Sequence, residues 1–355
     1  MFQLSNLLKN PIRWLGSDGE LSDCVLSSRI RLARNLVAAP FPHAASQRDL
    51  GLVLEKVTQA AKKSHALARA AYIKLSEMEK VDQRFLVERH LISEDLTRDS
   101  HNRAVVIGEK ELVSLMVNEE DHLRLQILLP GLALDRALEQ AQALDGELGR
   151  GLLFAYHKEF GFLASCPTNV GTGLRASCLV HLPALVYTQN IGAVLQELAR
   201  VGLVARGFYG EGSKVYGDLF QISNATSVGK TEQEFAEAMT AILKNVRGHE
   251  IQMRERLVKG AAKTKTLDRL WRAYAALSYC RLISFEEAMQ ELSWIRLGFS
   301  LGVKFDHLAL AKVNELIVLA QPAHIQMHAG RELGPRERDS VRAALISRTI
   351  KGKGQ

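Results

Sequence analysis

The hydrophobic pattern of this chain changes period near Gly248, and that change restricts the fold more than any other feature. Before it, short alternating apolar segments are mixed with helical stretches; after it, nearly every segment repeats at helical spacing. The expected organisation is α+β: a mixed domain over residues 1–246, then a helical domain over 247–355. In the first part, residues 22–37 alternate in polarity and predict a strand. Phe85–Ile92, Ala104–Ile107, Leu112–Val117 and Leu123–Leu129 read as further strands, the last ending at the Pro130-Gly131 turn. Gly161–Ala164, Val201–Phe208 and Leu219–Asn224 complete the strand set.

Helical spacing covers residues 46–71, Leu132–Leu144 and part of Leu182–Leu198, and Leu174–His181 reads as the opening of a helix. Thr231 followed by Glu234 is a capping box that starts a helix over Thr231–Asn245. Ser284 with Glu287 repeats that signal, and Asp306 is placed to cap a helix over Leu308–Ala320 that stops before Pro322. The N-terminal stretch reads as a short amphipathic helix stopped at Pro11, with neither the apolar core nor the cleavage site of a signal peptide. No apolar run approaches the ~18 residues of a membrane span, so no segment is expected to span a membrane, and a reducing compartment is expected for a large chain of this kind.

Hydrophobic content of 47% and charged content of 24% are those of an ordinary globular protein. The net charge of +7 is spread along the chain rather than gathered into an arm, which argues against nucleic acid as the partner. Cys24, Cys166, Cys178 and Cys280 contain no C-x-x-C pair, so no structural zinc site is expected. A nucleotide loop of the usual kind is also missing. Ser213 separates Gly212 from Lys214, Gly229-Lys230-Thr231 lacks its earlier glycine, and no G-x-G-x-x-G occurs.

Arginines can replace such a loop, because a guanidinium fork grips phosphate oxygens in pairs. Arg29 and Arg31 stand two apart and share a face of the predicted strand. Arg124, Arg175 and Arg206 lie inside acid-rich or glycine-rich motifs. Taken singly, each could be a surface ion pair; taken together they suggest a polyanion site. Asn118-Glu119-Glu120-Asp121-His122-Leu123-Arg124 is either a solvated acidic turn or the binding place of a cation. A guanidinium acceptor has a pKa above ~12 and needs a carboxylate to orient it and take its proton. Glu120 and Glu211 suit that chemistry. Cys166 precedes Pro167 in a Gly/Thr-rich loop and is either a small core residue or a thiol beside the substrate.

These motifs resemble those of the guanidino (phosphagen) kinases. Ser27-Ser28-Arg29-Ile30-Arg31, the NEEDHLR run and the segment Cys166–Ser177 match in order and internal spacing. The closer resemblance is to the branch that acts on protein arginine. Arg206–Gly210 with Glu211 is similar to that branch's loop, and Arg338-Asp339-Ser340-Val341-Arg342-Ala343 is similar to its phosphoarginine-binding RDxxRA motif. On a helix Arg338 and Arg342 are neighbours, which permits a phosphate clamp or, equally, an exposed salt-bridged helix.

The resemblance implies an antiparallel-rich sheet flanked by helices. It implies ATP contacts from Ser27, Ser28, Arg29, Ile30, Arg31, His90, Arg124, Arg175, Ala176, Ser177, Cys178, Leu179, Arg206, Gly207, Phe208, Tyr209 and Gly210, with magnesium carried on the nucleotide. Glu120 becomes the base, Glu211 its partner, and Cys166 a neighbour of the substrate. It further implies protein substrates with exposed arginines, a homodimer, a zinc-binding activator protein and a Clp-type ATPase. The rivals are a kinase of free arginine and a phosphoarginine-binding adaptor.

Overall fold

The computed structural model of the protein describes residues 7–8, 10–207 and 214–352. Its centre is an eight-stranded antiparallel sheet in the order β2-β3-β4-β5-β1-β8-β10-β9. The strands are β1 (Val25–Arg34), β2 (Ala71–Lys74), β3 (Ala104–Ile107), β4 (Val113–Val117), β5 (Leu123–Pro130), β8 (Leu174–His181), β9 (Leu203–Arg206) and β10 (Leu219–Asn224). A separate hairpin pairs β6 (Tyr156–His157) with β7 (Gly161–Phe162). The helices of the first part are α1 (Gln47–Lys63), α2 (Lys80–Glu88), α3 (Leu134–Gly149), α4 (Pro183–Tyr187), α5 (Ile191–Arg200) and α6 (Glu232–Leu257). Then come α7 (Gly260–Tyr279), α8 (Phe285–Ser300), α9 (Leu310–Leu319), α10 (Pro322–Ala329) and α11 (Pro335–Ile350). No helix among the described residues is long and apolar enough to cross a membrane.

One sheet face is apolar. Ile30 and Leu32 of β1, Ala176 and Val180 of β8, and Leu125 and Ile127 of β5 pack against Ala137, Leu138, Ala141 and Leu144 of α3 and Met239 and Leu243 of α6. The opposite face is divided. At one end Leu128 and Leu179 join Trp14, Leu15, Met289 of α8 and Ile317 and Val318 of α9 in a second core. The C-terminal helices therefore close that end, and polar side chains occupy the other. The predicted division at residue 246 falls inside α6, which carries the first core on to Met253; the helical cluster takes over from Leu270.

Two elements differ from expectation. Phe85–Ile92 is not a strand: Phe85, Leu86 and Val87 form the buried end of α2 and His90 follows at φ 59°. A short apolar run has no readable period, and burial on several sides suits either geometry. Leu174–His181 is a strand, not a helix, because it is an interior strand between β1 and β10 and both of its faces are covered. The predicted Asp306 cap is also absent: α9 starts at Leu310 with Ala309 at its N-cap and no side-chain cap. The capping box of Thr231 and Glu234 is present.

Within the first part, Glu250 of α6 accepts from the backbone N–H groups of Ala184 and Leu185 at 3.1 and 3.0 Å. The two parts are likewise joined by buried polar contacts. Arg296 of α8 donates to the carbonyls of Ser22 and Asp23 and to Nδ1 of His181. Glu88 at the end of α2 accepts from Ala323 N, His324 N and His324 Nδ1, at 2.9, 3.0 and 2.8 Å. Glu88→Ala strands three buried donors at once, so the unfolding free energy is expected to fall by about 3 kcal/mol. Chemical denaturation checks this; a loss below about 1 kcal/mol would show that water replaces the carboxylate.

Candidate active site

The polar end of the divided face is built by register. Arg31 lies opposite Arg175, Arg29 opposite Ser177, Ala33 opposite Arg124, and Gln221 opposite both Leu179 and Arg206. Residues directly paired in an antiparallel ladder point to the same face. Five arginines, Arg29, Arg31, Arg124, Arg175 and Arg206, therefore share one side of the sheet. Strand alternation sends Ser28, Ile30, Ala176 and Cys178 the other way, so their side chains belong to the core. Ser28 bonds to the Gly131 carbonyl and to Cys178, whose thiol burial pushes up to about 12.

Neutral side chains contact two of these arginines. Arg29 donates to Ser177 Oγ at 3.2 Å and to Gln221 Oε1 at 2.6 Å, and Arg175 donates to Ser223 Oγ at 3.3 Å. Burial, then Arg175 and Arg124, lower the Arg29 guanidinium to about 10. Burial drives Arg31 well below its ordinary value, with Arg29, Arg124 and Arg175 adding to the effect. A set of like charges this crowded is stabilised by a polyanion placed among it. Beside Arg29 lies a small cavity walled by Trp14, Ser27, His90, Leu128, Leu179 and Ser177. His90, edge-on to Trp14 at 5.2 Å, is lowered to about 3 by burial and by Arg29 and Arg31, and so stays neutral.

The acidic run is the loop between β4 and β5. Asn118 opens it in the left-handed region, at φ 58°, which suits asparagine. It is not a solvated turn: Glu119 and Asp121 are buried. Arg124 donates to Glu119 at 2.5 Å and to Glu120 at 3.2 Å, bridging the acids to the arginine face. Ser93 makes a short hydrogen bond to the same Glu119 oxygen, and Oε2 of Glu119 has no partner among the described residues. Glu120 is the exposed acid of the run and accepts from Asn169 Nδ2 at 3.3 Å. Asn169 belongs to the loop of Cys166, whose Sγ lies 3.0 Å from Thr168 Oγ1. Glu120 and Cys166 thus border the same opening at the edge of the arginine face.

Sequence reasoning missed what holds these loops together. Asn35 donates to Asp121 Oδ1 at 2.6 Å and to the Leu163 carbonyl, and accepts from His122 N. Asp121 in turn accepts from Ser165 N at 2.7 Å, immediately before Cys166. A single asparagine after a strand carries no signal that could have revealed this. Gly207 is buried directly after β9; Phe208, Tyr209, Gly210 and Glu211 lie outside the described residues. The RDSVRA segment is on α11, far along the chain in the helical part. Arg342 is buried, donating to the carbonyls of Ala320 and Ile283 and to Asp339. Ala343 is core, Val341 is partly covered, Ser340 is exposed, and Arg338 is half-buried against the Leu333 carbonyl.

Comparison with known proteins matches this architecture in two blocks. Residues 52–253 match the ATP:guanido phosphotransferase C-terminal catalytic domain, and residues 263–354 match the protein-arginine kinase McsB C-terminal domain. The protein-arginine kinase of Symbiobacterium thermophilum is 47% identical over 339 residues, covering 94% of this chain and 95% of that one. That of Moorella thermoacetica is 42% identical over 350 residues, covering 98% and 99%.

This chain belongs to the protein-arginine kinase family.

Solved guanidino kinases share its fold. A lombricine kinase superposes with a TM-score of 0.59 at 24% identity, over 68% of this chain and 70% of that one. A duplicated taurocyamine kinase from Schistosoma mansoni gives 0.59 at 24%, over 67% and 34%. Membership of the family implies ATP as the phosphoryl donor.

The site has a pH signature. Burial raises the Glu120 carboxyl above its ordinary value; Arg124 opposes this, and Asp121 and Glu119 add to it. A base works only when ionised, so activity rises with pH as Glu120 loses its proton. The acid limb of kcat/KM is expected above the ordinary glutamate value of about 4.3. An acid limb at or below that value would remove Glu120 from the role.

Proposed function

We propose that the protein transfers the γ-phosphoryl group of ATP to a guanidinium nitrogen of arginine side chains in proteins. A P–N bond forms, the bond from the γ-phosphorus to the bridging oxygen breaks, and ADP leaves. The observation that supports this most is the junction at Arg124, where an arginine-covered sheet face meets a buried acid loop. The polyanionic donor fits the first and the cationic acceptor the second.

Arg29, Arg31, Arg175 and Arg206 would neutralise the phosphate chain, and Arg124 would face the transferring group. Glu120 would orient the acceptor nitrogen and take its proton, and Glu211 is proposed as its partner on the other edge. Cys166 would stand beside the guanidinium. Among the described residues no group of three or more His, Cys, Asp or Glu could hold a metal ion. Magnesium would arrive on the nucleotide and keep its waters. Glu119, with Oε2 unpartnered among the described residues, is the acid suited to accept from such a water. Bound there, the ion supplies charge neutralisation on the phosphate oxygens.

The test is mass spectrometry after incubation with Mg-ATP, using an unfolded arginine-rich protein in one tube and free arginine in the other, kept from acid. Phosphate is expected on protein arginines. Glu120→Gln is expected to lower kcat by about 100-fold or more. Phosphate on free arginine alone would identify a metabolite kinase, no phosphate in either tube would favour an adaptor, and an unchanged kcat in Glu120→Gln would remove Glu120 from the role of base.

We also propose that the RDSVRA segment recognises phosphoarginine, with Arg342 as the internal anchor and Arg338 and Asp339 at the surface of α11. Arg338→Ala is expected to weaken phosphoarginine binding about tenfold in calorimetric titration. An unchanged Kd would leave α11 a purely structural helix. The family resemblance alone supports four further proposals: a homodimer, a cytoplasmic location, a zinc-binding activator and a Clp-type ATPase that receives the marked substrates.

A further inference from the structure

The backbone that leads into Cys166 carries several large apolar side chains in solvent. Val37 is 65% exposed, Leu153 81%, Tyr156 60% and Phe160 56%. They belong to one small ladder. Val37 N donates to Leu153 O at 3.0 Å, Ala155 N to Asn35 O at 2.7 Å, and Leu163 N to Ala155 O at 2.9 Å. Phe162 and Gly171 exchange backbone hydrogen bonds at 2.7 and 3.2 Å, which ties the ladder to the far end of the Cys166 loop.

These side chains are held in place rather than loosely displayed. Tyr156 stands edge-on to Phe162 at 5.2 Å, and Phe160 stacks on His157 at 4.9 Å. Phe162 is itself pinned beneath the Arg34 guanidinium, 3.5 Å from its ring centre. Asn35 lies under the ladder and bonds directly to Asp121 of the acid loop. The ladder that carries the apolar side chains and the acid loop that carries Glu120 are therefore tied to the same support through Asn35.

We propose that this patch binds the polypeptide on either side of the target arginine, and that it selects segments in which apolar or aromatic residues flank that arginine. The proposal rests on the protein-arginine kinase reading. A protein substrate reaching Glu120 must pass over the surface next to the Cys166 loop, so the occupant is fixed by continuity with the acceptor site. An apolar side chain laid on Leu153, Tyr156 and Phe160 removes surface from water on both partners. Folded proteins keep such side chains inside, so the patch favours unfolded segments. Contacts remote from the reacting atoms act equally on ground state and transition state, so they appear in KM and not in kcat.

The test uses the full chain and two peptides of equal length and charge. In one the single arginine is flanked by Leu and Phe, in the other by Ser and Gly. The wild type is expected to show a KM about tenfold lower for the apolar-flanked peptide. The double variant Leu153→Ser/Phe160→Ser is expected to raise that KM about tenfold, leaving kcat and the rate on the polar peptide unchanged. Equal KM values in the wild type, or an undiminished preference in the variant, would overturn the proposal. Fluorescence anisotropy of the labelled peptides separates it from the reading beneath it. Preferential binding of the apolar-flanked peptide, lost in the variant, without phosphorylation of either peptide would refute the kinase reading and uphold the patch. If the variant lowers the oligomeric mass in sedimentation and leaves the KM values alone, the patch pairs copies of the chain and the proposal fails.

Discussion

Strand alternation in β1, β5, β8 and β9 commits five guanidinium groups to one face of one sheet, and the rest of the molecule is arranged around that commitment. Like charges so placed repel one another, and half-burial removes the water that would screen them. Neutral oxygens of Ser177 and Gln221 hold Arg29 without cancelling its charge, and Ser223 Oγ accepts from Arg175. Arg124 is paired with Glu119 and Glu120, and it sits at the border with the acid loop. In the proposed reaction that border separates phosphate binding from guanidinium binding.

Such a face requires a rigid scaffold, because repulsion would otherwise spread the strands. The apolar side of the sheet is locked by α3 and α6. The apolar end of the cationic side is closed by Trp14 and helices α8 and α9. The joint also has a buried polar layer. Asp23 accepts from Arg247 and Arg254 at 2.8 Å each, and Arg296 spans Asp23, His181 and Asn314. Burial and the nearby Arg296 and Arg254 push His181 well below its ordinary value, so it stays neutral and accepts at Nδ1. Directional contacts of this kind fix one orientation of helix against sheet, where apolar packing alone would tolerate sliding. The helical part thus serves the catalytic sheet as a wall, whatever further role its α11 motif has.

Most of the sheet was legible because its strands obey local rules. Ala104–Ile107 and Leu219–Asn224 begin and end where pattern and turn residues put them, and the cap of Thr231 and Glu234 starts α6. The two misread segments fail for one reason. Phe85–Ile92 and Leu174–His181 are buried on more than one side, so their apolar residues run together and erase the period that distinguishes helix from strand. The Asp306 cap failed differently: the helix starts at Leu310, two residues later than expected, with Ala309 at its N-cap.

At the site, residue types and spacing within each motif identified the arginines, Glu120 and the Cys166 loop, since side-chain chemistry and i, i+2 alternation are properties of the local chain. Three matters depended on contacts between distant segments. Register decided that all five arginines share a face while Ser28 and Cys178 turn into the core. Burial decided that Glu119 and Asp121 are interior groups and Glu120 the exposed one. Cross-chain hydrogen bonding turned Arg342 inward and gave Asn35 its place beneath the acceptor loop. The sequence by itself determined the family, the kinds of group available and their local order. Only the tertiary structure decided which of them meet, because pairing register and burial arise from segments that have no local means of reading one another.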